Sequence, residues 1–365
     1  MIKRVICSFI LFLMNSIIKG KKWPYTLYAI LCKFSTNRYT TFNTFFQNNR
    51  YNNEYVQQVI SKLSKISVAK RNSILLPAIE TTIFGTKNKF RICFIEITNK
   101  CNLRCKYCLN GDIQNSIMVS PDDLLYRIKE AAKYVKIFII TGGEPLLNDS
   151  LFGIIRKNPS LLFIVFTNGT LLTDRVLSDI SEIGNLIFCV SIDATESAHE
   201  ANRGKETYMK AISCVGNIKK YGFACGISTV VNELNIDSII EGRADDSYEK
   251  TGADFLILMC ENCHDRNSLY RRYNAMSENC LSISTKIPTI SFPFFERHLD
   301  NHSCMGGKVI FHIDCYGNVS MCPFSSHNCG SLNEFGLSDI IGKMKSETLC
   351  KCAYWNYMEG DGDNG

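Results

Sequence analysis

From Arg91 onward, short apolar runs alternate with amphipathic stretches in a steady rhythm. Arg91–Thr98 (RICFIEIT), Val135–Thr141, Leu161–Thr167 (LLFIVFT), Leu186–Ile192, Cys225–Val231 and Asp254–Met259 read as strands. Each is a short run of branched and aromatic residues, as strands covered on both faces are. Between them, helical spacing predicts Pro121–Tyr134, Asn148–Lys157, Thr173–Ile183, Lys205–Tyr221 and Ile236–Lys250. Ser120 caps the first of these helices, and Thr173 and Asp174 start the third. Such alternation predicts an α/β parallel sheet. Six units, where a full barrel has eight, predict a partial (β/α)6 TIM-like barrel over residues 91–260.

The rhythm is absent on both sides. Residues 1–90 hold apolar runs at 5–18 and 23–34, an Asn-rich aromatic segment, and a helical pattern over Tyr55–Val68, which predicts a mostly helical extension. Residues 261–303 read as a connector, with a polar helical stretch at His264–Ile283 and prolines and aromatics at Ile287–Phe295. Residues 304–365 read as a small cysteine-rich module. In it Val309–Asp314 and Asn318–Cys322 form a predicted hairpin turning at Tyr316–Gly317, followed by a helix over Leu337–Lys345.

Charge separates the extension from the body. Residues 1–91 carry 15 Lys and Arg against two acids, Glu54 and Glu80, while the remainder carries 26 against 33. The Val5–Ile18 run, between Lys3–Arg4 and Lys19–Lys22, resembles a secretory signal but has no small-residue cleavage site. It also falls short of the about 20 residues that a membrane span requires. It reads as a helix that packs on the body or makes peripheral contact with a membrane surface. Its apolar character and the lack of a recognisable binding motif argue against a nucleic-acid partner.

The chain has 18 cysteines, and they cluster: three fall within eight residues, and six lie between Cys304 and Cys352. Clustering in a long chain favours metal ligation over a disulfide scaffold, and thiolate ligation of iron implies a reducing, cytoplasmic setting. Cys101, Cys105 and Cys108 follow the first predicted strand, at the barrel end where catalytic groups gather. Three thiolates can hold three corners of a [4Fe–4S] cluster and leave one iron open. By themselves the same three residues would also suit one face of a helix burying small side chains. One βα unit later the second strand runs into Gly142-Gly143-Glu144-Pro145. There, glycines allow close backbone approach by a ligand, and a carboxylate can accept from an ammonium group.

The C-x3-C-x2-C spacing after the first strand, with GGEP after the second, resembles the radical S-adenosylmethionine (SAM) superfamily over roughly residues 91–260. The resemblance implies a [4Fe–4S] cluster on Cys101, Cys105 and Cys108 whose open iron binds SAM, with flavodoxin or ferredoxin as a typical electron donor. It also implies roles for single residues. Tyr107 would pack near the adenine, and Gly142, Gly143, Glu144 and Pro145 would line the methionine end, with Glu144 near its ammonium. Asn168 would face SAM, Ser191 and Asp193 would approach the ribose and methionine groups, and Arg203 would pair with the SAM carboxylate. Val230 ranks below these and reads as core.

Cys304, Gly317, Cys322, Cys350 and Cys352 resemble the C-terminal SPASM/twitch module of one branch of that superfamily. The resemblance implies one auxiliary [4Fe–4S] cluster on Cys304, Cys322, Cys350 and Cys352, with Cys315 and Cys329 as competing ligands and a zinc ribbon as the alternative. Cys260 and Cys263 form a further C-x2-C at the sixth strand end. Cys7, Cys32, Cys93, Cys189, Cys214 and Cys225 read as buried small hydrophobes. The implied function is radical hydrogen abstraction after SAM cleavage, on a peptide or protein substrate. The alternatives are dehydrogenation or rearrangement of a small molecule, or a non-catalytic Fe–S redox sensor.

Overall fold

A computed structural model describes residues 90–109, 116–261, 269, 272–273, 289–291, 306–307, 310–325 and 327–346. The expectations for residues 1–89, for most of the connector, and for Cys263, Cys304, Cys350 and Cys352 lie outside the described residues.

The rhythm read from the sequence becomes one sheet. Its parallel strands are β1 (Ile92–Glu96), β2 (Ile137–Thr141), β3 (Leu162–Thr167), β4 (Leu186–Ser191), β5 (Ala224–Val231), β6 (Phe255–Cys260) and β7 (Thr289–Ser291). β7 was not among the predicted strands; it adds a seventh parallel strand beside β6. The intervening helices are α1 (Pro121–Ala131), α2 (Leu151–Lys157), α3 (Asp174–Asp179), α4 (Glu196–Arg203), α5 (Tyr208–Lys220), α6 (Ile236–Ile240) and α7 (Asp245–Lys250).

The predicted helix over Ile236–Lys250 is two short helices, separated where Gly242 takes a positive φ of 73°. α4 was not predicted as a helix. Its sequence, ESAHEANR, has only Ala198 and Ala201 as apolar residues, and Thr195 caps it by accepting from the Ala198 N–H.

Parallel register assigns each strand residue to a face. Ile95, Ile140, Val165, Val190, Ile227 and Leu258 share the face on which α5 packs, and all are fully buried. Their neighbours on the opposite face open toward solvent at the C-terminal strand ends, where Glu96, Thr141, Phe166, Ser191, Val230 and Met259 are all half-buried. That rim is the mouth of the partial barrel.

The C-terminal hairpin is continuous with this sheet. β8 (Ile310–Ile313) pairs parallel with β1, β9 (Asn318–Ser320) runs antiparallel to β8, and β10 (Asn328–Ser331) closes the edge. The hairpin turns as predicted, with Gly317 at φ +92°. Sequence pattern gave the hairpin but not its docking partner. Arg127 on α1 secures it, its Nη1 donating to the carbonyls of Asp314 and Cys315 at 3.0 and 3.1 Å. α8 (Leu337–Ser346) matches the predicted C-terminal helix and packs on β10.

Candidate metal centre and cofactor site

The loop carrying Cys101, Cys105 and Cys108 is tied to its surroundings from several directions. At its root, Asn99 accepts from the Ile117 N–H through Oδ1 (2.6 Å) and donates through Nδ2 to the Tyr316 hydroxyl of the hairpin turn (3.2 Å). From the β2 side, the Gly143 N–H donates to Thr98 O at 2.7 Å and the Glu144 N–H to Lys100 O at 2.8 Å. From the β3 side, Asn168 Nδ2 donates to Asn102 Oδ1 at 2.9 Å, while Asn102 Nδ2 donates to Thr170 Oγ1 at 2.8 Å. From α4, the Asn202 carbonyl accepts the Lys106 N–H at 3.0 Å. A segment without regular structure is thereby held by hydrogen bonds to loops that follow three other strands.

The three thiols are free, Cys101 and Cys105 half-buried and Cys108 exposed. The Leu103 N–H points at Cys101 Sγ at 3.4 Å, a contact that suits a thiolate ligand. Burial raises the Cys101 thiol above its ordinary value and pushes Cys105 up to about 11, so both carry protons at neutral pH in the metal-free chain. Metal ligation there must release those protons. Among the described residues, no three Cys, His, Asp or Glu side chains converge as the ligands of a single ion would. A cubane makes a different demand, since each of its thiolates binds a different iron. Three free sulfurs on one restrained loop, with an open mouth beside them, fit that demand.

The GGEP segment packs closely on the root of the cysteine loop. The close neighbour of both glycines is the chain's own backbone. A Cβ on Gly142, at φ +139°, would lie 2.1 Å from Thr98 O, and one on Gly143 would lie 2.0 Å from Lys100 O. The glycines let the β2 loop press against the root of the cysteine loop. Glu144 is buried, and its carboxylate accepts from Thr167 Oγ1 (2.7 Å), the Asn168 N–H (2.8 Å) and the Leu146 N–H (3.1 Å). Burial raises its pKa against these hydrogen bonds. The carboxylate thus joins the β2 and β3 loops, and Pro145 begins a single 3-10 turn behind it.

Tyr107, Asp193 and Arg203, each matched separately by resemblance, meet in one network. Arg203 Nε and Nη2 donate to the two Asp193 oxygens at 2.9 and 3.1 Å, and the Tyr107 hydroxyl donates to Asp193 Oδ2 at 2.7 Å. His199 is buried beside them and accepts the Asp193 N–H through Nδ1 (3.2 Å). Burial, then the Arg203 charge, lowers its pKa to about 4, which keeps the ring neutral as that acceptor role requires. Ser191 stands on the mouth face two residues earlier. Since α4 positions Arg203 and Asn202, loss of its cap should be felt here. Thr195→Ala is expected to lower stability by about 1 kcal/mol in chemical denaturation.

One pair was missed in the sequence. Glu96 and His312 share the mouth face, and His312 Nε2 lies 3.4 Å from Glu96 Oε1 with no hydrogen-bond partner. His312 Nδ1 lies 3.1 Å from Ser320 Oγ, which also donates to Cys322 O at 3.0 Å. The available signal was a polar residue inside each of two otherwise apolar strands, RICFIEIT and VIFHI.

Of the second cysteine constellation, Cys322 is buried beside β9, and Cys315 and Cys329 are buried as well. Burial pushes the Cys315 thiol up to about 12. Cys260 is half-buried at the end of β6. Cys93, Cys189, Cys214 and Cys225 are buried core residues as expected.

Comparison with known proteins places this geometry. Residues 95–242 match the sequence model of the Radical SAM superfamily. The chain therefore carries a radical SAM domain. It is 29% identical over 296 residues to the AdoMet-dependent heme synthase of Methanosarcina barkeri, covering 69% of this chain and 82% of that protein. It is 21% identical over 292 residues to the sporulation killing factor maturation protein SkfB of Bacillus subtilis, covering 71% and 68%. Its fold is similar to Streptococcus suis SuiB bound to S-adenosylmethionine, with a TM-score of 0.57 at 15% identity, over 83% of this chain and 76% of that one. That likeness bears out the α/β partial-barrel expectation.

Proposed function

We propose that this chain cleaves SAM reductively and abstracts a hydrogen atom from a peptide or protein substrate. The observation that carries the reading is the restraint of the Cys101–Cys108 loop at the barrel mouth by the β2 and β3 loops, within the radical SAM match. When bound, the [4Fe–4S] cluster and SAM supply a 5′-deoxyadenosyl radical; Cys101, Cys105 and Cys108 would hold the cluster. Flavodoxin or ferredoxin would supply the electron.

The chain's own residues supply placement. Gly142, Gly143 and Glu144 fix the root of the cysteine loop, and Asn168 holds Asn102 within it. Half-buried Phe166, Val230 and Met259 make much of the mouth apolar, which keeps water away from a reactive intermediate.

Two comparisons support a peptide substrate: SkfB is named a maturation protein, and SuiB has also been solved bound to its precursor peptide SuiA. The similarity to a heme synthase favours a second reading, a radical transformation of a small molecule. The deciding experiment incubates the anaerobically reconstituted, dithionite-reduced full chain with SAM and measures 5′-deoxyadenosine. No product would overturn the enzyme reading and favour a redox sensor. A mass change in a short peptide encoded beside the gene would select the peptide reading.

The C-terminal cysteines extend the proposal. If Cys304, Cys322, Cys350 and Cys352 hold an auxiliary cluster, a chain lacking Cys101, Cys105 and Cys108 should retain about four irons with matching sulfide. Zinc in their place would support the zinc-ribbon reading.

A further inference from the structure

The fate of the Asp193 carboxylate sets the starting point. Its two oxygens receive Arg203 Nε and Nη2, the Tyr107 hydroxyl, and the Val230 N–H at 3.4 Å. A carboxylate has about four lone-pair sites, so these donors leave it little capacity for a ribose hydroxyl. Arg203 is equally committed: both donors reach one carboxylate in the bidentate geometry that guanidinium favours, and its side chain is 7% exposed. Its guanidinium also lies over the Tyr107 ring, 5.3 Å from the centroid.

All of these contacts converge on one residue of the cysteine loop. Tyr107 stands between Cys105 and Cys108, so holding its ring and hydroxyl restrains the segment that carries two of the three thiols. Its neighbour Lys106 is tied by its backbone N–H to Asn202, the residue before Arg203. The other end is equally rigid. Ala194, next to Asp193, holds a left-handed backbone at φ +56°, uncommon for a residue with a side chain and kept only where surroundings enforce it. His199 accepts the Asp193 N–H within the same turn.

We propose that Tyr107, Asp193 and Arg203 form a clasp that positions the cysteine loop, acting on the cluster through Cys105 and Cys108 and not by contact with SAM. The inference rests on the proposed function for its meaning, but its geometry stands apart from it. In the metal-free chain the clasp keeps the loop close to its ligating shape. In the loaded chain it slows departure of the iron.

The test uses the full chain with Tyr107→Phe, which removes one hydroxyl and keeps the ring, and Arg203→Lys, which keeps the charge and loses the fork. Hydrogen exchange of the metal-free protein is read at residues 101–109, where Tyr107→Phe should raise amide exchange on the order of tenfold without a comparable rise elsewhere. After reconstitution, iron loss to a ferrous chelator should quicken by a similar factor, on the order of tenfold, while SAM affinity from equilibrium dialysis stays within about threefold. Unchanged exchange in the loop of both variants would overturn the clasp whatever the metal does. So would a roughly tenfold loss of SAM affinity with unaltered iron loss, which would return these residues to direct SAM contact. A wild-type chain that takes up no iron would instead sink the proposed function, and the exchange experiment would still judge the clasp.

Discussion

Replacing Cys101, Cys105 and Cys108 together by Ala is expected to remove about four irons per chain and abolish 5′-deoxyadenosine formation. The fold should survive the change. The ties that hold the loop run through Asn99, Asn102, Lys106 and the backbone of Thr98 and Lys100; among the contacts described, only the Leu103 N–H engages one of these sulfurs. The thiols are half-buried or exposed, so their loss should change the stability of the metal-free chain by about 1 kcal/mol or less. Iron and sulfide analysis, circular dichroism and product detection check the three parts of the prediction. Undiminished 5′-deoxyadenosine formation would refute the ligand assignment. Unfolding of the variant would mean that the sulfurs support the loop structurally as well.

Gly143→Ala should damage the same centre without touching a ligand. The added Cβ would meet Lys100 O at 2.0 Å and Asn99 O at 2.8 Å, both backbone atoms that no rotamer change can move aside. The β2 loop must therefore separate from the root of the cysteine loop. The Gly143 N–H to Thr98 O and Glu144 N–H to Lys100 O hydrogen bonds are lost with it. Overpacking costs about 1–3 kcal/mol and each lost hydrogen bond about 1 kcal/mol, which places the total near 3–5 kcal/mol. Against a typical domain stability of about 5–15 kcal/mol, that is a large fraction. Urea denaturation should show the lowered midpoint, and iron content after reconstitution should fall in parallel. A variant within about 1 kcal/mol of wild type would mean that the close approach at Gly143 is readily relieved.

The strands and the cysteine constellation could be read from the chain because both are local. A buried parallel strand is a short apolar run, and Val135–Thr141 and Leu161–Thr167 differ from the observed β2 and β3 only at their N-terminal ends. Cys101, Cys105 and Cys108 carry their chemistry in their spacing. Where polar residues made an element, the signal failed: α4 is capped by Thr195 and carries Arg203, yet its apolar residues are only two alanines, Ala198 and Ala201. β7 and β10 are three and four residues long, too short for alternation to declare them.

Tertiary structure alone decided which groups meet. Tyr107 and Asp193 are 86 positions apart, and Asn99 and Tyr316 are 217 apart. No local pattern encodes such pairings, because they arise only when successive strands stack in parallel and bring the loops at their C-terminal ends onto one rim. The same stacking turned Gly142 and Gly143 toward the chain's own backbone, joined β8 to β1 and set His312 against Glu96. By itself, the sequence determined the kinds of atom available at the mouth of the barrel and the strands that deliver them. Assembly of the sheet decided which carboxylates are already occupied, because a buried charge must find its partner inside the fold once water is excluded.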